Sequence, residues 1–132
     1  METLYELAGG AAAIERLCRR FYELVFADDL LLPLFRDPDD EHAERLAMWL
    51  TELLGGPKEH TAVRGGFAVM RGSHVGLEIS EAQRQRWAQL MFAACRDVAL
   101  PDEFQRRFLP YVEGGSTLAM RVSWPSDRIW PR

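Results

Sequence analysis

Apolar residues recur at three- and four-residue intervals along most of the chain, which is the spacing of one helix face. The pattern predicts helices over residues 12–27, 41–54 and 80–98, and a last helix that starts near residue 102. No window sustains the two-residue alternation of a half-buried strand, so the fold is predicted to be all-α. The apolar stripes of the four helices are Ile14, Leu17, Cys18, Phe21, Leu24 and Val25; Leu46, Trp49, Leu50 and Leu53; Trp87, Met91, Ala94, Cys95 and Val98; and Phe104, Phe108, Tyr111, Val112 and Leu118.

Residues with known capping chemistry mark the helix boundaries. Thr3 with Glu6 and Ser80 with Gln83 have the spacing of a capping box, in which two side chains satisfy backbone N–H groups at a helix start. Glycines at 9–10 and 55–56 are predicted to end helices. Residues 58–67 lack a period and are predicted to form a loop, whereas residues 68–74 are predicted to hold one or two helical turns. The pattern predicts one domain over residues 1–122 and an irregular tail over residues 123–132.

Composition narrows the class of protein. The chain has 132 residues, of which 48% are apolar and 27% charged, as in a single globular domain. A net charge of −4 argues against a nucleic-acid partner. The longest apolar stretch, near residues 30–35, is too short to span a membrane, and the first residues do not have the composition of a signal peptide. We therefore expect a cytoplasmic protein in which Cys18 and Cys95 are packing residues without a chemical role.

Motifs for common hydrolytic chemistry are missing from the sequence. It has no glycine-rich phosphate loop, no Gly-x-Ser-x-Gly elbow and no paired cysteines or histidines at zinc spacing. A di-metal carboxylate bundle needs Glu-x-x-His pairs on two helices, and only Asp39-x-x-His42 comes near that pattern. The sequence therefore favours none of these reactions.

The three histidines differ in their settings. His60 lies in a polar stretch and is predicted to be solvated, whereas His42 shares a helix face with Leu46. His74 follows a flexible Gly-Ser pair and precedes an apolar segment. Considered alone, a histidine in such a position is more often a structural residue than a ligand.

The order of several short motifs resembles that of the truncated haemoglobins, and of their group II branch in particular. The similarity extends from about residue 4 to residue 118, nearly the whole chain. The motifs, in chain order, are Leu4-Tyr5-Glu6 followed by Gly9-Gly10, the run Arg20-Phe21-Tyr22-Glu23-Leu24-Val25, Gly55-Gly56-Pro57, Met70-Arg71, His74, and Trp87 thirteen residues later.

The resemblance implies a fold and a cofactor site. The fold is a two-over-two helical sandwich around a b-type haem, in which His74 is the proximal ligand of the iron and Phe35 packs on the haem edge. The distal pocket that the resemblance implies is lined by Tyr22, His42, Leu46 and Trp87. Cationic partners for the haem propionates are expected among Lys58, Arg64 and Arg71.

The resemblance also implies a function. Neutral imidazole is a good ligand for haem iron and leaves the sixth position open to dioxygen, nitric oxide, carbon monoxide or peroxide. Donors from Tyr22, Trp87 and His42 favour holding dioxygen over delivering it, so oxygen transport is the less favoured use. We expect redox chemistry, either nitric oxide oxidation or peroxide turnover, with an external electron donor because the chain has no flavin or nicotinamide motif. Whether the protein is an enzyme stays open at this point.

Two alternatives remain beside redox chemistry. The first is a gas sensor or ligand store without turnover, and the second is a haem-free interaction module with a globin fold. The presence of Tyr22, His42 and Trp87 together speaks against the haem-free module. A homodimer is compatible with the resemblance, although no apolar stripe identifies an interface.

The sequence departs from the group II pattern at three places. The segment before His74 is about one residue longer, which affects the register of the proximal helix. His42 occupies a distal position that is commonly small, where it could gate ligand entry, donate a hydrogen bond or bind the iron itself. Gly114 replaces a bulky aromatic residue, which either opens a cavity or leaves space for Trp124 and Trp130.

Overall fold

A computed structural model describes residues 2–35 and 41–125, with the backbone alone at residues 63, 64, 67, 70 and 71. Every regular element within these ranges is helical, as the sequence predicts. The elements are α1 (Leu4–Ala8), α2 (Ala11–Phe26), a 3₁₀ turn (Leu32–Leu34), α3 (His42–Leu53), α4 (Glu59–Arg64), α5 (Phe67–Gly72), α6 (Glu81–Asp97) and α7 (Asp102–Val122).

Both predicted capping boxes are present. The Thr3 hydroxyl accepts the Glu6 N–H at 3.1 Å, and the Glu6 carboxylate accepts the Thr3 N–H at 3.0 Å. Ser80 and Gln83 repeat the exchange at 3.1 and 2.9 Å. Each box satisfies N–H groups that have no partner inside the helix, so the predicted starts of α1 and α6 are confirmed.

The long helices pack as two pairs. Helix α2 lies against α3, α6 lies against α7, and α2 also contacts α6, so that the core forms where the pairs meet. An ion pair at 2.9 Å between Arg20 and Asp97 joins α2 to the end of α6. Cys18 and Cys95 are fully buried in this core, as predicted. Burial raises the pKa of the Cys95 thiol to about 12 and that of Cys18 further still, so both remain neutral packing groups.

Helix α7 buries a single row of residues spaced four apart, which includes Phe104, Phe108 and Val112. Residues at this spacing lie above one another on one helix face. The prediction that Tyr111 and Leu118 join this stripe is wrong, since they are 43% and 38% exposed. Neither residue belongs to the row that repeats every four residues. In α3, the predicted core residue Leu53 is likewise exposed.

The predicted loop over residues 58–67 contains helix α4, so that prediction is wrong. A six-residue helix is marginal alone, and here α3 supports it. The Glu52 carboxylate accepts the Thr61 N–H at 3.0 Å and the Thr61 hydroxyl at 2.6 Å. These two hydrogen bonds lower the pKa of Glu52. His60 on α4 is 5% exposed, and its ring centroid lies 5.2 Å from that of Trp49 in an edge-on arrangement, so its predicted solvation is wrong.

The helical turns expected before His74 are present as α5, which ends at Gly72. Helix α7 ends at Val122, and residues 126–132 of the predicted tail lie outside the described residues. Within the described part of the chain, no helix is long and apolar enough to cross a lipid bilayer.

Candidate functional site

Four rings from three elements form one cluster. Tyr22 and Phe26 lie one turn apart on α2, the 3₁₀ turn brings Phe35 back to them, and His42 begins α3. The His42 ring stacks on Tyr22 with centroids 5.6 Å apart and meets Phe35 edge-on at 5.1 Å. Tyr22 and Phe35 are themselves 5.6 Å apart at nearly a right angle. The structure therefore brings together three residues that the sequence assigned to the haem edge and distal pocket.

Trp87 reaches this cluster through Phe21. The fully buried Phe21 ring contacts Tyr22 and Trp87, each with a centroid separation of 5.1 Å and an edge-on geometry. Aromatic pairs prefer this arrangement, which places the positive edge of one ring on the negative face of the other. Phe21 thus fixes the separation of the two residues that carry a hydroxyl and an indole N–H. Leu46 lies one turn beyond His42 on α3 and packs against the core as an apolar neighbour.

Tyr22 and Trp87 keep their hydrogen-bond donors uncommitted. Among the residues that the structure describes, neither the Tyr22 hydroxyl nor the Trp87 indole N–H donates to another protein group. Burial raises the pKa of the Tyr22 phenol, with the neighbouring Cys18 adding to the shift, so the O–H persists well above neutral pH. The cluster therefore offers two donors on a mostly apolar wall.

His74 lies on a different segment, two residues beyond the end of α5. The Ser73 hydroxyl is 3.3 Å from its Nδ1, and its backbone carbonyl accepts the Leu77 N–H at 3.3 Å. A hydrogen bond at Nδ1 selects Nε2 as the nitrogen that binds a metal. His74 therefore follows helix α5 and is not part of it.

The donor set fits a haem better than a bare metal ion. In the described ranges, no three His, Cys, Asp or Glu side chains converge as a metal site. A single imidazole suffices for haem iron, because the porphyrin itself supplies four nitrogen ligands. Val75 directly follows His74 and is 66% exposed, so apolar surface remains uncovered next to this residue. His74 offers one imidazole ligand and the ring cluster offers apolar surface, and a flat apolar group with a metal at its centre requires both.

The remaining sequence assignments concern the propionate partners, Gly114 and the two tail tryptophans. Arg64 and Arg71 lie in α4 and α5, but their side chains are outside the described residues, and Lys58 is exposed before α4. A Cβ added at Gly114 would meet nothing within 4 Å, so Trp124 does not fill that position. The Trp124 indole N–H instead donates to the Ile79 carbonyl at 2.8 Å. Trp130 lies outside the described residues.

Phe26 and Ser73 were not among the site residues predicted from the sequence. Phe26 is four residues beyond Tyr22, which is the spacing of neighbours on a helix face and was available as a signal. Ser73 directly precedes His74, and its hydroxyl is a common partner for an imidazole nitrogen. Nothing in the sequence pattern indicated that His60 would pack against Trp49.

Comparisons with known proteins agree with this architecture. Residues 3–119 match the model of the bacterial-like globin family. The group 2 truncated hemoglobin YjbI of Bacillus subtilis is 32% identical over 100 residues, which cover 76% of this chain and 74% of that protein. The crystal structure of the group II truncated hemoglobin from Bacillus anthracis superposes with a TM-score of 0.83 at 27% identity, covering 98% of both chains. The truncated oxygen-avid haemoglobin from Bacillus subtilis superposes with a TM-score of 0.80 at 27% identity, covering 93% of this chain and all of that one.

Proposed function

The chain belongs to the bacterial-like globin family, and we propose that it holds a haem b through His74 and uses it for redox chemistry on small ligands. Membership of the truncated haemoglobins implies haem-based binding of small ligands such as dioxygen. We further propose which residues hold the haem and which reactions the bound ligand undergoes. The observation that carries it is the pair of uncommitted donors, Tyr22 and Trp87, beside the aromatic cluster.

His74 would bind the iron through Nε2 while Ser73 orients the ring through Nδ1. Phe35 and Leu46 would contact the porphyrin, and Arg64, Arg71 and Lys58 are the candidates for its propionates. Bound there, the haem would supply an iron that takes a diatomic ligand and exchanges electrons with it.

Tyr22 and Trp87 would each donate a hydrogen bond to a ligand oxygen that carries negative charge. A hydrogen bond to a charged group contributes about 1.5–3 kcal/mol, which slows ligand release roughly ten- to a hundredfold. Two such donors favour retention of dioxygen over its delivery. The oxygen-avid relative from Bacillus subtilis supports this expectation.

Two redox reactions fit a retained oxygen ligand. Nitric oxide, dioxygen and one electron from an external donor give nitrate. Peroxide, two electrons and two protons give two molecules of water. The His42 ring stacks on Tyr22, and His42 would transfer one of those protons. In both reactions the electrons come from a separate protein or small reductant.

The test is a stopped-flow experiment in which the dioxygen-loaded protein is mixed with nitric oxide, followed by nitrate analysis. We expect stoichiometric nitrate and conversion to the ferric form. A parallel assay supplies hydrogen peroxide and an artificial electron donor. Stable dioxygen binding without either turnover would contradict the redox proposal and favour a sensor or ligand store. A failure to take up haem would contradict the whole proposal.

A further inference from the structure

The end of helix α7 is bonded to the segment that follows His74. The Ser123 carbonyl accepts the backbone N–H groups of Gly76 at 3.2 Å and Glu78 at 3.0 Å. The Ser123 hydroxyl accepts the Ile79 N–H at 2.9 Å. The Trp124 indole N–H donates to the Ile79 carbonyl at 2.8 Å. Four hydrogen bonds thus join two residues of the α7 end to residues 76–79, and we call this contact the C-terminal clamp.

Ser123 is placed to hold this contact rigidly. It is fully buried, and its hydroxyl also donates to the Met120 carbonyl at 2.6 Å. That bond fixes the rotamer of the hydroxyl, so its lone pair faces the Ile79 N–H. A buried N–H that loses its acceptor is strongly unfavourable. The clamp therefore has little freedom to shift without breaking a buried hydrogen bond.

The clamped segment has an unusual backbone that connects directly to His74. Glu78 adopts a positive φ of 52° and Gly76 one of 86°, and for a residue with a side chain such a conformation persists only when its surroundings impose it. The Leu77 N–H, between these two residues, donates to the His74 carbonyl at 3.3 Å. Two hydrogen bonds therefore connect Ser123 to the His74 backbone: one from the Glu78 N–H to Ser123, and one from the adjacent Leu77 N–H to His74.

We propose that Ser123 and Trp124 are positioning residues for His74, which set the distance and tilt of its imidazole relative to the metal. This inference rests on the proposed function, because it takes His74 as the iron ligand. Residues around a metal ligand that orient it typically change metal affinity ten- to a hundredfold when they are mutated. The α7 end would thus tune both haem retention and the strength of the iron–histidine bond.

The experiment compares variants of the haem-loaded protein. Ser123→Ala removes the clamp hydroxyl, and Trp124→Phe removes the indole N–H but keeps an aromatic ring. Ser116→Ala is the matched control, since Ser116 is also buried on α7 and donates to a carbonyl three residues earlier, that of Glu113, at 3.2 Å. Ser123→Thr restores a hydroxyl at the clamp.

Two readouts separate positioning from a general loss of stability. The first is the iron–imidazole stretching band in the resonance Raman spectrum of the ferrous protein. The second is the rate of haem transfer to excess apomyoglobin, with the melting temperature recorded for each variant. We expect a shifted or broadened band and roughly tenfold faster haem loss in Ser123→Ala and Trp124→Phe. Ser116→Ala is expected to keep the parent band, and Ser123→Thr to return towards it.

The outcomes distinguish this inference from the proposed function. If His74→Ala abolishes the band while Trp124→Phe and any folded Ser123→Ala keep the parent band and haem-loss rate, the clamp does not position His74 and the inference is wrong. If His74→Ala itself keeps the parent band, the ligand assignment falls and the inference falls with it. Should Ser123→Ala fail to fold, Trp124→Phe alone decides, because it removes the indole N–H that donates to Ile79 and keeps an aromatic ring.

Discussion

The ring cluster and the segment that carries His74 are built in opposite ways. Tyr22 and His42 of the cluster lie on long helices, and the fully buried Phe21 contacts both Tyr22 and Trp87. The His74 side consists of two six-residue helices and a turn, with Val75 largely exposed. Its position depends on hydrogen bonds from residues distant in sequence, through Thr61 and through the C-terminal clamp.

This contrast bears on function. A core that fixes the hydrogen-bond donors keeps their geometry constant whether or not a ligand is present. A segment held by a few hydrogen bonds and short helices opens at lower free-energy cost than a packed core. We therefore expect the donor geometry to withstand most single substitutions, and the His74 geometry to depend on the few hydrogen bonds that hold its segment.

Truncation of Phe21 gives the largest effect and breaks the cluster. Phe21→Ala removes a fully buried ring between two functional side chains and is expected to destabilise the protein by about 3–5 kcal/mol. Val75→Ala on the His74 side is expected to change stability by no more than about 0.5 kcal/mol, because its side chain is mostly in solvent. Urea denaturation of both variants measures the difference. Equal losses would show that the two regions are held alike.

Removal of the hydrogen-bond donor of Tyr22 or of Trp87 tests whether each side chain reaches the bound ligand. Tyr22→Phe and Trp87→Phe each delete a single donor and are expected to speed dioxygen release ten- to a hundredfold, corresponding to about 1.5–3 kcal/mol. Flash photolysis or stopped-flow displacement gives the off-rates. Tyr5→Phe, on α1, is the control and is expected to leave the rate unchanged. Unchanged rates in both donor variants would mean that neither reaches the ligand.

Alkaline pH tests the buried state of Tyr22 with a smaller effect. The pKa of this phenol is raised in the folded protein, whereas in the unfolded chain it ionises near about 10. Folding stability from this group is complete below about pH 10 and is lost as pH rises towards the folded pKa, because only the unfolded chain releases the proton. At pH 11 the loss is about 1.4 kcal/mol. Urea titrations at pH 8 and 11 are expected to show this extra loss in the parent and not in Tyr22→Phe.

The same contrast explains what sequence could predict. Helices α2, α3, α6 and α7 follow from apolar periodicity, and the starts of α1 and α6 follow from local capping boxes. The ring cluster follows from motif order. Tyr22 and His42 lie on α2 and α3, and Phe35 follows the 3₁₀ turn between these two helices.

The His74 side was harder to predict because its contacts are not local. Helix α4 has no apolar stripe and depends on two hydrogen bonds that Thr61 donates to Glu52, nine residues earlier. The clamp joins Ile79 to Ser123, forty-four residues apart, and no periodicity marks a serine of this kind.

Helix α7 continues through Pro110, although a proline inside a helix usually breaks it. The helix persists because its row of buried residues extends on both sides of the proline.

The most direct test of the central claim is the absorption spectrum of His74→Gly after haem reconstitution, with and without added imidazole. The claim that His74 holds the iron predicts loss of the parent Soret band and of haem retention, with recovery when free imidazole enters the vacated position. His42→Gly, measured in parallel, is expected to retain haem. A His74→Gly protein that keeps the parent spectrum without imidazole would contradict the assignment. Loss of the Soret band in His42→Gly would indicate that His42, and not His74, is the histidine that holds the iron.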